Sequence, residues 1–166
     1  RHGITQNINL AISGGNETSR YRASFGIQDQ KGIIRKTGLK NYTASLNGQN
    51  KFLDSKQLGI DYSIMAAQTR EQLAPITNDA GFTGSLVGQA LQWNPTMPIK
   101  NADGSTNIPG EGDLINPLAM SDAYDDKTNI SYVLASISPY FKFNDNWEYR
   151  AMYSSNHQVG NRKAQI

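Results

Sequence analysis

The residues with the most chemical potential in this sequence lie between positions 93 and 126. Asn101, Asp103, Ser105 and Asn107 alternate around Gly104 and offer oxygen at every second position, as a calcium loop does. Such a loop also needs a bidentate Glu at its twelfth position, and none falls there; turn chemistry accounts for the same residues, so no metal is expected. Glu111, Asp113, Asp122, Asp125 and Asp126 make the next stretch acidic. That pattern reads first as a solvated face and second as a carbohydrate or cation contact. Trp93, beside Asn94 and Pro95, carries an indole that can stack on a sugar, pack against a partner protein or anchor a long segment. His2 and His157 stand far apart, with no Cys and no carboxylate pattern nearby, so neither a metal site nor a triad is supported. No nucleophile motif occurs, no cofactor is called for, and enzymatic activity is not expected.

A second set of polar groups is Arg20, Arg22, Gln28, Asp61, Glu148 and Arg150. Each sits in a segment where apolar and polar residues alternate, the period of a strand with one greasy face. Residues 7–13 place Ile8, Leu10 and Ile12 on one side, and residues 18–30 do the same with Tyr21, Ala23, Phe25 and Ile27. Residues 39–52 follow with Tyr42, Ala44 and Leu46, and residues 58–66 with Leu58, Ile60, Tyr62, Ile64 and Ala66. Later, residues 130–143 put Val133, Ala135, Ile137, Pro139, Phe141 and Phe143 on the outward face, and Trp147, Tyr149, Ala151 and Tyr153 end the series. Arg20, Arg22, Asp61, Glu148 and Arg150 take the opposite face. Short connections are expected at 14–17, 53–56 and 144–146, a longer one at 31–38 and a long loop over 67–128. A short helix is expected within 84–93, before Pro95. The polar tail from 155 reads as the start of another loop.

These segments must position the polar face, and what they build is set by their lengths. The apolar runs are far short of the ~20 residues of a membrane helix, so helical insertion is excluded. A mean hydropathy of −0.57 does not exclude a barrel, because only alternate strand residues meet lipid. A net charge of +2 with scattered basic residues gives no reason to expect nucleic acid. A soluble β-sandwich alternates as well. Three features favour a transmembrane barrel: connections that are alternately short and long, strands of about a dozen residues where a bilayer crossing needs ~9–11, and aromatics (Phe52, Phe141, Phe143, Trp147, Tyr149) gathered beside the short turns. The polar face then lines a lumen. Six strands leave two unpaired edges, so the rest of the barrel is expected from outside this chain. The chain opens at Arg1 without Met or an apolar leader, and is expected to begin at an internal cut with any targeting signal elsewhere.

The wording of the sequence adds a resemblance. The segment 7–47, centred on SGGNE at 13–17 and DQKGII at 29–34, with ALQWNPTMPIKNADG at 90–104 and NPLA at 116–119, resembles the SusC/RagA-type TonB-linked outer-membrane proteins of the Bacteroidetes. The resemblance implies an all-β, antiparallel up-and-down barrel of 22 strands, of which this chain is about six. It implies an N-terminal plug that is not in this chain, a SusD-like lipoprotein lid, and energy from the TonB complex. Import of glycan oligosaccharides or peptides across the cell outer membrane would be the function. A passive porin-like barrel and a soluble sandwich binding module are the alternatives.

Overall fold

The computed structural model describes residues 2–53, 57–74, 85–109 and 114–165. They form one antiparallel sheet of hairpin-connected strands: β1 (Ile4–Gly15), β2 (Ser19–Lys31), β3 (Gly38–Phe52), β4 (Leu58–Leu73), β5 (Asp125–Lys142), β6 (Glu148–Arg150) and β7 (Tyr153–Gln165). β6 and β7 both pair with β5 in one register, Tyr140 opposite Arg150 and Ile137 opposite Tyr153. The gap between them falls at Pro139, which has no N–H to complete the exchange with Ala151; only the Ala151 amide donates, at 3.0 Å. They are one sixth strand with a missing rung.

Two expectations need correction. The tail after 155 is not the start of a loop, since β7 continues the sixth strand to Gln165. The long excursion is shorter than 67–128, because β4 runs on to Leu73 and β5 begins at Asp125. Within the excursion, α1 (Leu86–Gln92) is the expected short helix, and α2 (Pro117–Ala123) is a second one that periodicity did not reveal. The connections alternate between two rims as expected. The β1–β2, β3–β4 and β5–β6 connections leave from one end of the strands, and the β2–β3 and β4–β5 connections from the other.

The register places the apolar residues on one face, including the outward face expected for 130–143. Ile27 pairs with Ile8 and Tyr42, Leu46 with Ala23 and Ile64, and Tyr62 with Ile137. Nothing described covers this face. Ile8, Leu10 and Ile12 are 61%, 62% and 59% exposed, and among the described residues the buried apolar side chains are Ala74, Leu86 and Tyr140. A sandwich would set a second sheet there; the described residues form a single sheet.

The apolar belt also crosses the strands obliquely. Leu10 centres the apolar run of β1, and its row across the sheet passes through Phe25, Ala44, Ala66 and Val133 to His157. The apolar run of the sixth strand centres instead on Ala151, six residues earlier. At ~3.4 Å per residue and ~4.8 Å between strands, that is about 20 Å along for about 24 Å across. The angle is about 40°, the tilt of strands in a transmembrane barrel. Polar β7 follows from the same geometry, because most of it extends past the belt.

Candidate functional site

The face opposite the belt carries all six polar residues singled out from the strands. Arg20 stands opposite Gly15 and Gln49, Arg22 opposite Ser13 and Asn47, and Gln28 opposite Asn7 and Asn41. Asp61 lies opposite Gln49 and Ser138, Arg150 opposite Tyr140, and Glu148 opposite Lys142. Three of the six meet. Arg150 bonds Asp61 through Nη1 and Glu148 Oε1 through Nε and Nη2, at 3.1 and 3.0 Å, while its guanidinium lies 4.6 Å over the Tyr140 ring. Tyr140 is buried because it folds across Gly59 of β4, where a Cβ would stand 2.6 Å from Cε1 and closer still to Cζ and Oη. A glycine on one strand thus seats an aromatic ring from the next, and the ring seats the arginine. Arg20, Arg22 and Gln28 lie apart from this network.

Between Arg22 and Gln28 the face is a ladder of amides and hydroxyls that sequence reading treated only as background polarity. Ser24 and Ser45 share a hydrogen bond at 2.7 Å, Ser63 donates to Asn47 at 2.7 Å, and Thr69 to Asn41 at 3.1 Å. Gly26 opens a recess among Asn9, Asn41 and Thr43. Amides donate and accept together, so the surface suits uncharged polar ligands.

The excursion is held by two buried amides that were not foreseen. Gln89 of α1, fully buried, accepts from the Ile115 amide at 2.8 Å. Asn116 caps α2 by accepting from Leu118 N at 2.8 Å, and its Nδ2 donates to the carbonyls of Ile99 and Asn107 at 2.8 and 2.7 Å. One side chain ties three segments. The legible signal was Asn116-Pro117, an N-cap followed by Pro at the first helical position.

The three loop candidates are dispersed. Trp93 is half-buried and donates from Nε1 to the Met97 carbonyl at 3.1 Å, and its amide closes α1 on Gln89 O at 3.0 Å. Asn94 is exposed and accepts from the Thr96 amide and hydroxyl at 3.0 and 2.8 Å. Asp103, also exposed, accepts from the Ser105 amide at 2.9 Å and hydroxyl at 2.6 Å, and these bonds hold its carboxyl below the usual range. Residues 101–104 form a turn in which Gly104 takes φ 83° and donates to Asn101 O at 3.0 Å. The alternation of Asn101, Asp103 and Ser105 is thereby turn chemistry.

The acidic stretch is less solvated than its composition suggests. Asp126 is 1% exposed, with Arg162 bonded to both its oxygens at 2.6–3.2 Å and the Tyr124 hydroxyl donating at 3.2 Å. Asp125 meets Lys127 and Gln72, and Asp122 meets Arg35 at 3.1 Å. Glu111 and Asp113 lie outside the described residues. Lys36, held at φ 55°, donates to the carbonyls of Asp122 and Tyr124 at the end of α2, at 2.7 and 3.2 Å. The 32–37 hairpin and the exit of the excursion are therefore latched together.

No protein-family profile matches the chain. Curated relatives do: a TonB-dependent receptor, P3, of Formosa agariphila is 26% identical over 167 residues, 97% of this chain. The chain is a relative of the TonB-dependent receptors. The TonB-dependent receptor SusC of Bacteroides thetaiotaomicron is 24% identical over 86% of the chain, and a further Formosa agariphila receptor, P26, is 26% identical over 89%. The likeness runs through strands and excursion alike, and it agrees with the fold, a section of an antiparallel up-and-down transmembrane barrel. The chain spans 14–16% of the length of these receptors.

Proposed function

We propose that the chain forms six adjacent strands of an outer-membrane barrel that imports nutrients with energy from the TonB complex. The observation that carries this reading is the likeness to TonB-dependent receptors along 97% of the chain. The oblique apolar belt supports the membrane part independently. In this arrangement the short connections are periplasmic and the excursion is extracellular. The polar face lines the lumen around a plug contributed by the rest of the protein. Arg20, Arg22, Gln28, Asp61, Glu148 and Arg150 face that lumen, and Trp93, Asn94 and Asp103 are offered to substrate or to a SusD-like lid. The ladder of amides and hydroxyls suits a glycan or a peptide, both rich in uncharged donors and acceptors. The relatives are named receptors, and the work assigned to this site is binding and passage without bond-making chemistry.

The test is uptake by cells carrying the full-length gene, compared with a deletion strain, on oligosaccharides and on peptides. Import should require the gene and stop when an uncoupler collapses the inner-membrane proton gradient. Uptake that survives the uncoupler would mean a passive porin. Release of the full-length protein by carbonate without detergent would sink the barrel altogether.

A further inference from the structure

On the outward face, the belt gives way to charge toward the rim that carries the excursion. Beyond Ile27 come Asp29 and Lys31; beyond Tyr42 comes Lys40; beyond Ala66 come Gln68 and Arg70; beyond Val133 comes Lys127. The register gathers them into two rows, Asp29–Lys40–Arg70–Asn129 and Lys31–Gly38–Gln72–Lys127. With Lys36 reaching over from the hairpin, they line a hollow of about 730 Å³.

The charge of this hollow is not cancelled. Asp29 pairs with Lys40 at 3.1 Å and Lys127 with Asp125 at 2.6 Å. Lys36 donates to the neutral carbonyls of Asp122 and Tyr124, and its charge lies within electrostatic reach of the Asp125 carboxylate. Arg70 donates only to Gln68, at 3.4 Å, and neither it nor Lys31 meets a carboxylate among the described residues. Glu71 also borders the hollow but alternates toward the opposite face. Among the described residues, Lys31 and Arg70 therefore remain without a counter-charge, and Lys36 adds a cation that shares Asp125 with Lys127. At a tilt of about 40°, Lys31, Lys40 and Arg70 stand about 5–10 Å above the last apolar residue of their strands, which is headgroup height.

We propose that Lys31 and Arg70, with Lys36, cradle the phosphate of an anionic lipid headgroup against the outer wall of the barrel. The occupant follows from position and charge together. A cationic hollow directly above a hydrocarbon-facing belt meets lipids whose tails lie on the belt and whose phosphate lies at the cations. The proposal rests on the sheet crossing a bilayer and is independent of what the barrel imports.

The experiment uses the full-length protein in a zwitterionic detergent at low salt, titrated with phosphatidylglycerol or phosphatidylcholine, with retained lipid counted by native mass spectrometry. Phosphatidylglycerol should be retained preferentially. K31Q/R70Q should weaken its retention about thirtyfold, and each single variant about fivefold. K31R/R70K should keep it, as should R20Q/R22Q, which removes equal charge from the other face. Heat-shifted electrophoretic mobility verifies folding, and the single variants serve if the double does not fold. Equal retention of both lipids, an unaltered K31Q/R70Q, or an equal loss in R20Q/R22Q would overturn the cradle. Glycerol phosphate displacing the lipid at equal concentration would assign the hollow to a soluble phosphate instead. Failure of membrane insertion itself is read separately, from the Leu10 and Ala11 variants described below.

Discussion

Gly59→Ala offers a sharp test of how the polar face is built. The new methyl would stand 2.6 Å from Tyr140 Cε1 and closer still to Cζ and Oη, so the ring must swing outward by more than about 1 Å to regain ordinary contact. Overpacking of this kind costs about 1–3 kcal/mol, and partial loss of the Arg150 contact over the ring adds about 0.5–1 kcal/mol. Replacing a strand glycine returns about 0.5–1 kcal/mol of backbone entropy. The net expectation is a destabilisation of about 1–2 kcal/mol, measured by urea unfolding of the full-length protein in detergent. The cycle with Tyr140→Ala isolates the cause, because Gly59→Ala should be neutral or stabilising once the ring is gone. An equal cost with and without the Tyr140 ring would refute the seat. Gly48→Ala beneath Tyr62 is the companion case, and should cost less because that ring lies on the open outward face.

Three further outcomes are expected. Leu10→Arg should reduce folding stability in lipid vesicles by about 2–4 kcal/mol, whereas Ala11→Arg, one residue along on the polar face, should cost under about 1 kcal/mol; the reverse order would invert the assignment of faces. Asn116→Ala removes the α2 cap and strands the carbonyls of Ile99 and Asn107, a local cost of about 1–3 kcal/mol. Hydrogen exchange should quicken across 85–109 and 114–124 while β1–β4 stay protected. Asp103 has a carboxyl pKa lowered by its bonds to Ser105, so the order it lends the turn is complete above its unfolded value and lost as pH falls through the folded one. Exchange within 98–108, corrected for intrinsic rates, should therefore rise under acid conditions in the native chain and be insensitive to pH in Asp103→Asn.

Much of this was legible because a strand's period is two and its charges avoid lipid. Ile8, Leu10 and Ile12 against Asn7 and Asn9 already named a face, and the short turns named a rim, without any knowledge of neighbours. The boundaries were less legible. Thr69, Arg70 and Glu71 are polar on both faces, and so are Asn156 to Asn161 apart from Val159; they are strand because a tilted strand outruns the hydrocarbon, where alternation no longer has a cause.

The sequence by itself determined which residues face apart and where the chain reverses, since these follow from local periodicity and turn chemistry. Only the tertiary structure decided which groups meet. Arg150 joins Asp61 because the register of β4, β5 and β6 brings residues 89 positions apart onto one face, and Asn116 joins Ile99 and Asn107 because the excursion folds back on itself. Such pairings depend on strand offset and loop closure, which carry no local pattern. The cationic hollow is of the same kind: Lys31, Lys40 and Arg70 are unremarkable along the chain, and become one surface only when the rows align.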